Sequence, residues 1–266
     1  MLAELAVQDG RVLAGGQSLV PTMAFRLARP AHLIDINGVT ELERLRIEAD
    51  VLVIGACVRH AAFHRPVDAN PLGRLLSSVA PKIAHYPIRV RGTFCGSLAN
   101  ADPAAEWCLV AATLNAEIVA RNAAGTRHIM VDRFFEGMMA TSLAEDELLV
   151  ETRLPLLAPD TSFGFYEFSR RAGDYALAMA LATFRVIGGT ILEARLGVGG
   201  AEARPRRITE AESILNGRPP TPSTFRAAAD AAAAVIEPLE DVHASAEYRR
   251  DLVFTVTRRA LERAIS

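Results

Sequence analysis

Val12-Leu13-Ala14-Gly15-Gly16-Gln17-Ser18 runs from a short apolar strand directly into two glycines and a hydroxyl side chain. Adjacent glycines permit positive φ and let successive N–H groups converge without Cβ obstruction, a concavity suited to an anion. Ser18 adds a further donor. A plain tight turn after a strand asks for the same glycines, so the stretch alone leaves both readings open. Arg91-Gly92-Thr93-Phe94-Cys95-Gly96-Ser97 repeats the theme of small residues and hydroxyls. Facing one another, two such loops would hold a pyrophosphate chiefly by neutral donors. Neither fits the dinucleotide fingerprint GxGxxG or the P-loop pattern.

Outward from these loops, the first half alternates short apolar runs with Gly- and Pro-containing turns. Strands are expected at Val12–Ala14, Leu33–Ile36, Val51–Gly55, Glu117–Ala120 and Glu147–Pro155, with helices over Leu72–Ala80 and Cys108–Leu114. Asp102-Pro103 has the form of an N-cap followed by proline at the first helical position, with Glu106 in the first turn, where the helix dipole favours it and a ribose hydroxyl is equally within reach. Turn formers in LLAPDTS, with Pro155 just before and Pro159 within, mark a boundary between residues 1–157 and 160–266. Beyond it FGFYEFS reads as a strand, and ALATFRVI joins TILEARLGV through Gly188-Gly189 as a hairpin. Helices close the chain. Thr209 and Glu212 have capping-box spacing with Gly217 as stop, Ala227–Ile236 is Ala-rich, and Tyr248, Leu252, Val256, Ala260 and Ala264 recur every four residues. The arginines beside them (Arg249, Arg250, Arg258, Arg259, Arg263) read as a solvated face.

The 266 residues carry a formal charge of -2, which offers no basic field for nucleic acid or an anionic membrane. No run approaches the ~20 apolar residues of a membrane span, and the start lacks the regions of a signal peptide, so a cytoplasmic protein is expected. Cys57, Cys95 and Cys108 are odd in number and widely spaced, which argues against a disulfide framework, a structural zinc site or an iron–sulfur cluster on this chain. His60 and His64 share helical spacing but read as a packed or solvated pair; no metal site is expected.

The order of blocks is more specific than any one of them. AGGQSLVPTMAFRLARPAHLIDIN (14–37), RGTFCGSLANADPAAE (91–106), FSRRAGDYALAMALA (168–182), ARLGVGGAEARPRRITEAESILNG (194–217) and YRRDLVFTVTRRALERA (248–264) together resemble the FAD-binding medium subunit of the molybdenum hydroxylase family, of carbon monoxide dehydrogenase, xanthine dehydrogenase and aromatic hydroxylase type. The resemblance covers nearly the whole chain. It implies an α+β fold: a vanillyl-alcohol-oxidase (PCMH)-type FAD-binding domain of two subdomains, then a C-terminal antiparallel-sheet-and-helix domain. It implies that Leu13, Ala14, Gly15, Gly16, Gln17, Ser18 and Leu19 form one pyrophosphate loop and Thr93, Phe94, Cys95, Gly96 and Ser97 the other. Ala84, Asp102, Glu106, Leu149 and Glu167 would line the cofactor, and Tyr175 would stand near the isoalloxazine ring.

The resemblance also implies non-covalent FAD, with molybdenum-pterin in a large partner subunit and [2Fe-2S] clusters in a small one. The assembly would be a heterotrimer or a dimer of heterotrimers that delivers electrons to an external acceptor. No catalytic acid or base is assigned to this chain. Three departures from the family pattern stand out. Cys95 replaces a frequent glycine and would restrict φ there; Glu167 replaces a lysine of some relatives; and the chain reaches its first loop without the additional strand and helix with which relatives begin. A scaffold subunit without FAD and a stand-alone flavin reductase are the alternatives.

Overall fold

A computed structural model describes residues 9–266. The expectation about what precedes the first loop falls largely on residues 1–8, outside the described part. The described part opens with a small parallel pair, β1 (Gly10–Leu13) and β2 (His32–Asp35), bridged by the short helix α1 (Leu19–Ala24). Next comes a five-stranded antiparallel sheet of β3 (Leu45–Glu48), β4 (Val51–Gly55), β5 (Glu117–Arg121), β6 (Thr126–Met130) and β9 (Leu148–Pro155), in the order β3-β4-β9-β5-β6. The short pair β7 (Phe135–Gly137) and β8 (Ala140–Thr141) stands apart.

Helices α2 (Pro71–Val79), α3 (Tyr86–Arg89), α4 (Phe94–Asn100) and α5 (Glu106–Thr113) fill the interval between β4 and β5. Asn70 caps α2 by accepting a hydrogen bond from the Gly73 N–H at 2.8 Å, with Pro71 at the first position. The expected Asp102 N-cap does not form. Asp102 instead makes a local turn, its Oδ1 accepting from the Ala104 N–H at 2.9 Å, and Pro103 gives its carbonyl to the Gly200 N–H at 2.8 Å. With that carbonyl taken, the helix starts at Glu106. All eight residues of α5 are buried, as an apolar-all-round helix requires.

A second sheet, β10 (Ser162–Phe168), β11 (Ala178–Ile187), β12 (Thr190–Gly199) and β13 (Arg206–Arg207), is antiparallel throughout. Gly188 and Gly189 turn the β11–β12 hairpin with φ of +58° and +78°, the left-handed pair that a two-residue connection needs. In β11, Ala178, Ala180, Ala182 and Phe184 face a core shared with α6 (Thr209–Leu215), α7 (Pro222–Val235) and α8 (Ala246–Arg263). Met179 and Leu181 face the other way, into the core of the first half. Period-2 alternation therefore serves two cores from one strand.

Two expectations about the C-terminal helices are corrected. Thr209 lies inside α6 rather than capping it, because Glu212 turns to the Leu196 N–H (2.9 Å) and to Arg207 instead of back to the helix start. Of the α8 arginines, Arg259 and Arg263 are exposed and Arg250 and Arg258 half-buried, but Arg249 is not on a solvated face. Arg249, 3% exposed, donates from Nη1 to the Leu177 and Gly200 carbonyls at 2.8 Å each and pairs with Asp241, and Arg263 donates to the Phe165 carbonyl. Tyr248, placed on the buried stripe by its spacing, is 43% exposed.

Close approach of α8 to β10 depends on Gly164, where an added Cβ would lie 2.0 Å from the Ala260 carbonyl oxygen. Gly164→Ala is expected to cost ~1–3 kcal/mol through overpacking, seen as a lower midpoint in denaturant or thermal unfolding.

Candidate functional site: a cleft between two glycine segments

A cleft of about 660 Å³ opens between the β1–β2 unit, the segments around α3 to α5, β9 and the loop before β11. Two glycine segments meet on its wall. A Cβ on Gly15 would stand 2.3 Å from the Arg91 carbonyl oxygen and 2.6 Å from the Gly92 Cα, so only glycine lets the segments touch. Arg59 fastens them: its guanidinium donates to the Arg91 carbonyl and to Asn37 Oδ1 (2.5 Å), while Asn37 Nδ2 donates to the Ala14 carbonyl (2.9 Å).

The segments differ in what they offer. In the first, the N–H groups of Gly15, Gly16, Gln17, Ser18 and Leu19 find no acceptor among the described residues, and Gly16 takes φ +71°. The second is a helix start rather than an open loop. Thr93 caps α4 by accepting from the Gly96 N–H at 3.0 Å, Ser97 N–H bonds the Thr93 carbonyl, and Phe94 N–H bonds Val58. Three of the five N–H groups expected to face a ligand are thus engaged inside the fold, which leaves the first segment as the main source of free donors.

Of the residues singled out from sequence, Leu13 to Leu19, Ala84, Thr93, Cys95, Gly96, Ser97, Asp102, Glu106, Leu149 and Tyr175 line this one cleft. Phe94 and Glu167 do not. The Phe94 ring packs with Phe63 and Trp107 in the core. Glu167 stands on β10, its Oε2 buried without a hydrogen-bond partner among the described residues. Cys95 carries no penalty from its Cβ, since a helical residue needs no positive φ. Its thiol points inward to the Ile54 carbonyl and Thr152 Oγ1, 3.3 Å from each. Ala84 holds φ +40°, and Arg89 clamps that turn by donating to the Ile83 and Ala84 carbonyls. Tyr175 is 63% exposed at the rim.

Sequence reasoning missed Arg59 and Asn37, and treated His60 only as half of a pair with His64. In the structure the histidines diverge: His60 accepts from Trp107 Nε1–H and His64 accepts from Arg89 Nε–H. No short motif marks these residues, because their partners are brought by distant segments.

The carboxyls give the cleft its electrostatic character. Burial pushes Glu106 up to about 8, helped by repulsion from Glu167 and Asp102 and opposed by its own backbone N–H. Burial likewise raises Glu167 to about 7, with Lys82 pulling it down, and raises Asp102. Near neutral pH Glu106 holds its proton and presents a neutral acid that both donates and accepts.

Cleft and fold together define a flavoprotein electron-transfer subunit. The model of the FAD binding domain in molybdopterin dehydrogenase matches residues 1–157, and that of the CO dehydrogenase flavoprotein C-terminal domain matches residues 163–264. The chain is 39% identical to the nicotine 6-hydroxylase medium subunit of Paenarthrobacter nicotinovorans, over 97% of this chain and 90% of that one. It is 35% identical to the carbon monoxide dehydrogenase medium chain of Hydrogenophaga pseudoflava, over 96% and 89%. The solved carbon monoxide dehydrogenase of Hydrogenophaga pseudoflava superposes with a TM-score of 0.94 at 35% identity, covering 99% of this chain and 93% of that one. Quinoline 2-oxidoreductase of Pseudomonas putida 86 gives 0.92 at 37%, covering 99% and 92%. The chain belongs to the family of FAD-binding medium subunits of molybdenum hydroxylases. Among the described residues no helix is long and apolar enough to cross a membrane.

Because Glu106 binds its proton more tightly folded than unfolded, its stabilising contribution is full below its ordinary value of 4.5. That contribution is lost as pH rises from there through about 8. Asp102 and Glu167 act in the same direction. In thermal unfolding of the flavin-free chain, Glu106→Gln should therefore match the parent near about pH 5 and exceed it near about pH 9 by ~2–4 °C or more.

Proposed function

We propose that this chain holds FAD non-covalently in the cleft and passes electrons from [2Fe-2S] clusters of a small partner subunit to an external acceptor. A large molybdopterin-binding subunit would oxidise the substrate, in a heterotrimer or a dimer of heterotrimers. The reading rests on five successive N–H groups, Gly15 to Leu19, that find no acceptor among the described residues and belong to the wall of the cleft. Such a row in a glycine turn is a ready receptor for a diphosphate. The volume of about 660 Å³ lies within the ~300–1,000 Å³ usual for ligand sites.

In this reading the first glycine segment binds the diphosphate with neutral donors, assisted by the hydroxyls of Ser18, Thr93 and Ser97. Glu106, protonated at neutral pH, meets a polar group of the ligand without adding charge. Leu149 and Ala84 shape the apolar wall, and Tyr175 closes the rim beside the ring system. Phe94 supports the site from the core, and Glu167 acts on it only through its charge. FAD when bound exchanges electrons singly or in pairs, which suits it to join one-electron clusters to a two-electron acceptor. We divide the chain at 1–157 and 160–266. Three free, buried cysteines suit a reducing cytoplasm.

The visible spectrum of the purified chain, with any heat-released flavin identified by mass, tests the assignment. One FAD per chain is expected. A chain that neither carries nor takes up FAD yet joins its partner subunits would make it a scaffold. Gly15→Ala should part the two glycine segments and lower FAD affinity by at least ~10-fold, read by fluorescence titration of the flavin-free chain.

A further inference from the structure

His60 is buried, with 6% of its surface exposed, and contributes to the lining of the cleft. Its Nδ1 receives a hydrogen bond from Trp107 Nε1–H at 2.8 Å. An indole N–H can only donate, so Nδ1 must be the bare nitrogen, and a neutral ring then carries its proton on Nε2. The ring is neutral: burial lowers His60 to about 4, with Arg59 and Arg89 adding to the effect. Trp107 is itself wholly buried between Phe63 and Phe94, which fixes the indole and through it the imidazole.

The opposite edge of the ring lies where the glycine segments meet. A Cβ on Gly92 would come 2.5 Å from His60 Nε2, and Gly92 is the residue against which Gly15 packs. The His60 N–H also bonds the Gly92 carbonyl at 2.9 Å, so ring and segment move together. Among the described residues Nε2–H has no acceptor.

We propose that His60 is a further ligand-binding residue, a neutral donor of fixed tautomer that gives its Nε2–H to a phosphate oxygen beside the Gly15–Gly92 contact. This rests on the FAD reading above and extends it by one side chain. The Trp107–His60 pair performs with side chains what the first segment performs with backbone: it presents a hydrogen already aimed, with no ionisation required. Gly92 is glycine because the ring must stand flush against the backbone to reach that point. Arg59, adjacent in sequence, directs its guanidinium to Asn37 and the Arg91 carbonyl, so it braces the contact from the side.

The test uses the full chain freed of flavin, with FAD as the probe. His60→Phe keeps a ring and removes the donor, and should weaken FAD binding roughly 10- to 100-fold, the range for one hydrogen bond to a charged acceptor. His60→Gln can accept from Trp107 with its carbonyl and donate with its amide, and should recover most of the loss. In parallel, 15N spectra of the parent chain labelled at histidine should show one protonated and one bare ring nitrogen for His60, with the Nε2–H proton shifting on addition of FAD. Full affinity in a folded His60→Phe chain, or an Nε2–H resonance unmoved by FAD, would overturn the proposal while leaving the FAD assignment intact. A parent chain that binds no FAD would overturn both. If His60→Phe does not fold, the labelled parent alone decides.

Discussion

The contact between Gly15 and the Arg91-Gly92 backbone is the constraint on which the site depends. The β1–β2 unit carrying the first segment is a two-stranded sheet with a six-residue helix that buries none of its side chains. Such a unit has little stability of its own. It is held from outside, by the steric fit of Gly15 and by the relay from the Ala14 carbonyl through Asn37 to Arg59 and the Arg91 carbonyl. Asp35 steadies Asn37 in turn, accepting from its backbone N–H at 2.9 Å. The Gly15–Leu19 row of N–H groups is therefore positioned by a distant part of the chain.

That distant part is anchored by α5. Its Trp107 reaches His60, its Cys108 reaches the Ser97 carbonyl, and its Thr113 lies so close to β12 that Gly197 has no room for a Cβ. The Pro103 carbonyl, given up to Gly200, fixes where α5 begins and so brings Glu106 to the cleft. The two halves of the chain are thus joined by more than a linker. One face of β11 belongs to the first core and the other to the second, so repacking one core is transmitted to the wall of the other through a single strand.

What could be read from sequence follows the range of the interactions. Val51–Gly55 and the Gly188-Gly189 hairpin were legible because alternation and turn chemistry are local. The helix α4 was hidden, since FCGSLAN contains a glycine and its start is set by a cap from Thr93 that reads equally well as a loop residue. The edge strand β3, LRIE, is short and half exposed, with no apolar run to mark it. Asp102 met every local rule for an N-cap and was overruled by a hydrogen bond to a residue of the second half. Arg249 was assigned to solvent on charge alone, while its burial depends on two carbonyls and an aspartate brought from elsewhere. Cleft residues were found where a glycine pattern or a family block carried them, and Arg59, Asn37 and His60 were passed over because their roles arise only from tertiary contacts.

The charge economy of the cleft has a consequence for its ligand. The glycine segments offer neutral donors, backbone N–H groups and hydroxyls, beside a His60 imidazole held far below its ordinary value, while Arg11 brings a positive charge to the lining. Glu147 on the same lining is held low by its hydrogen bonds from Arg127, whereas Asp102 and Glu106 are both raised by burial, Glu106 to about 8. An anion entering the same enclosure adds negative potential and raises those carboxyls further, so anion binding and proton retention reinforce one another. A lysine in place of Glu167 would oppose this, drawing Glu106 toward ionisation beside a diphosphate. Glutamate at 167 instead adds to the effect of burial, the larger cause, in raising Glu106.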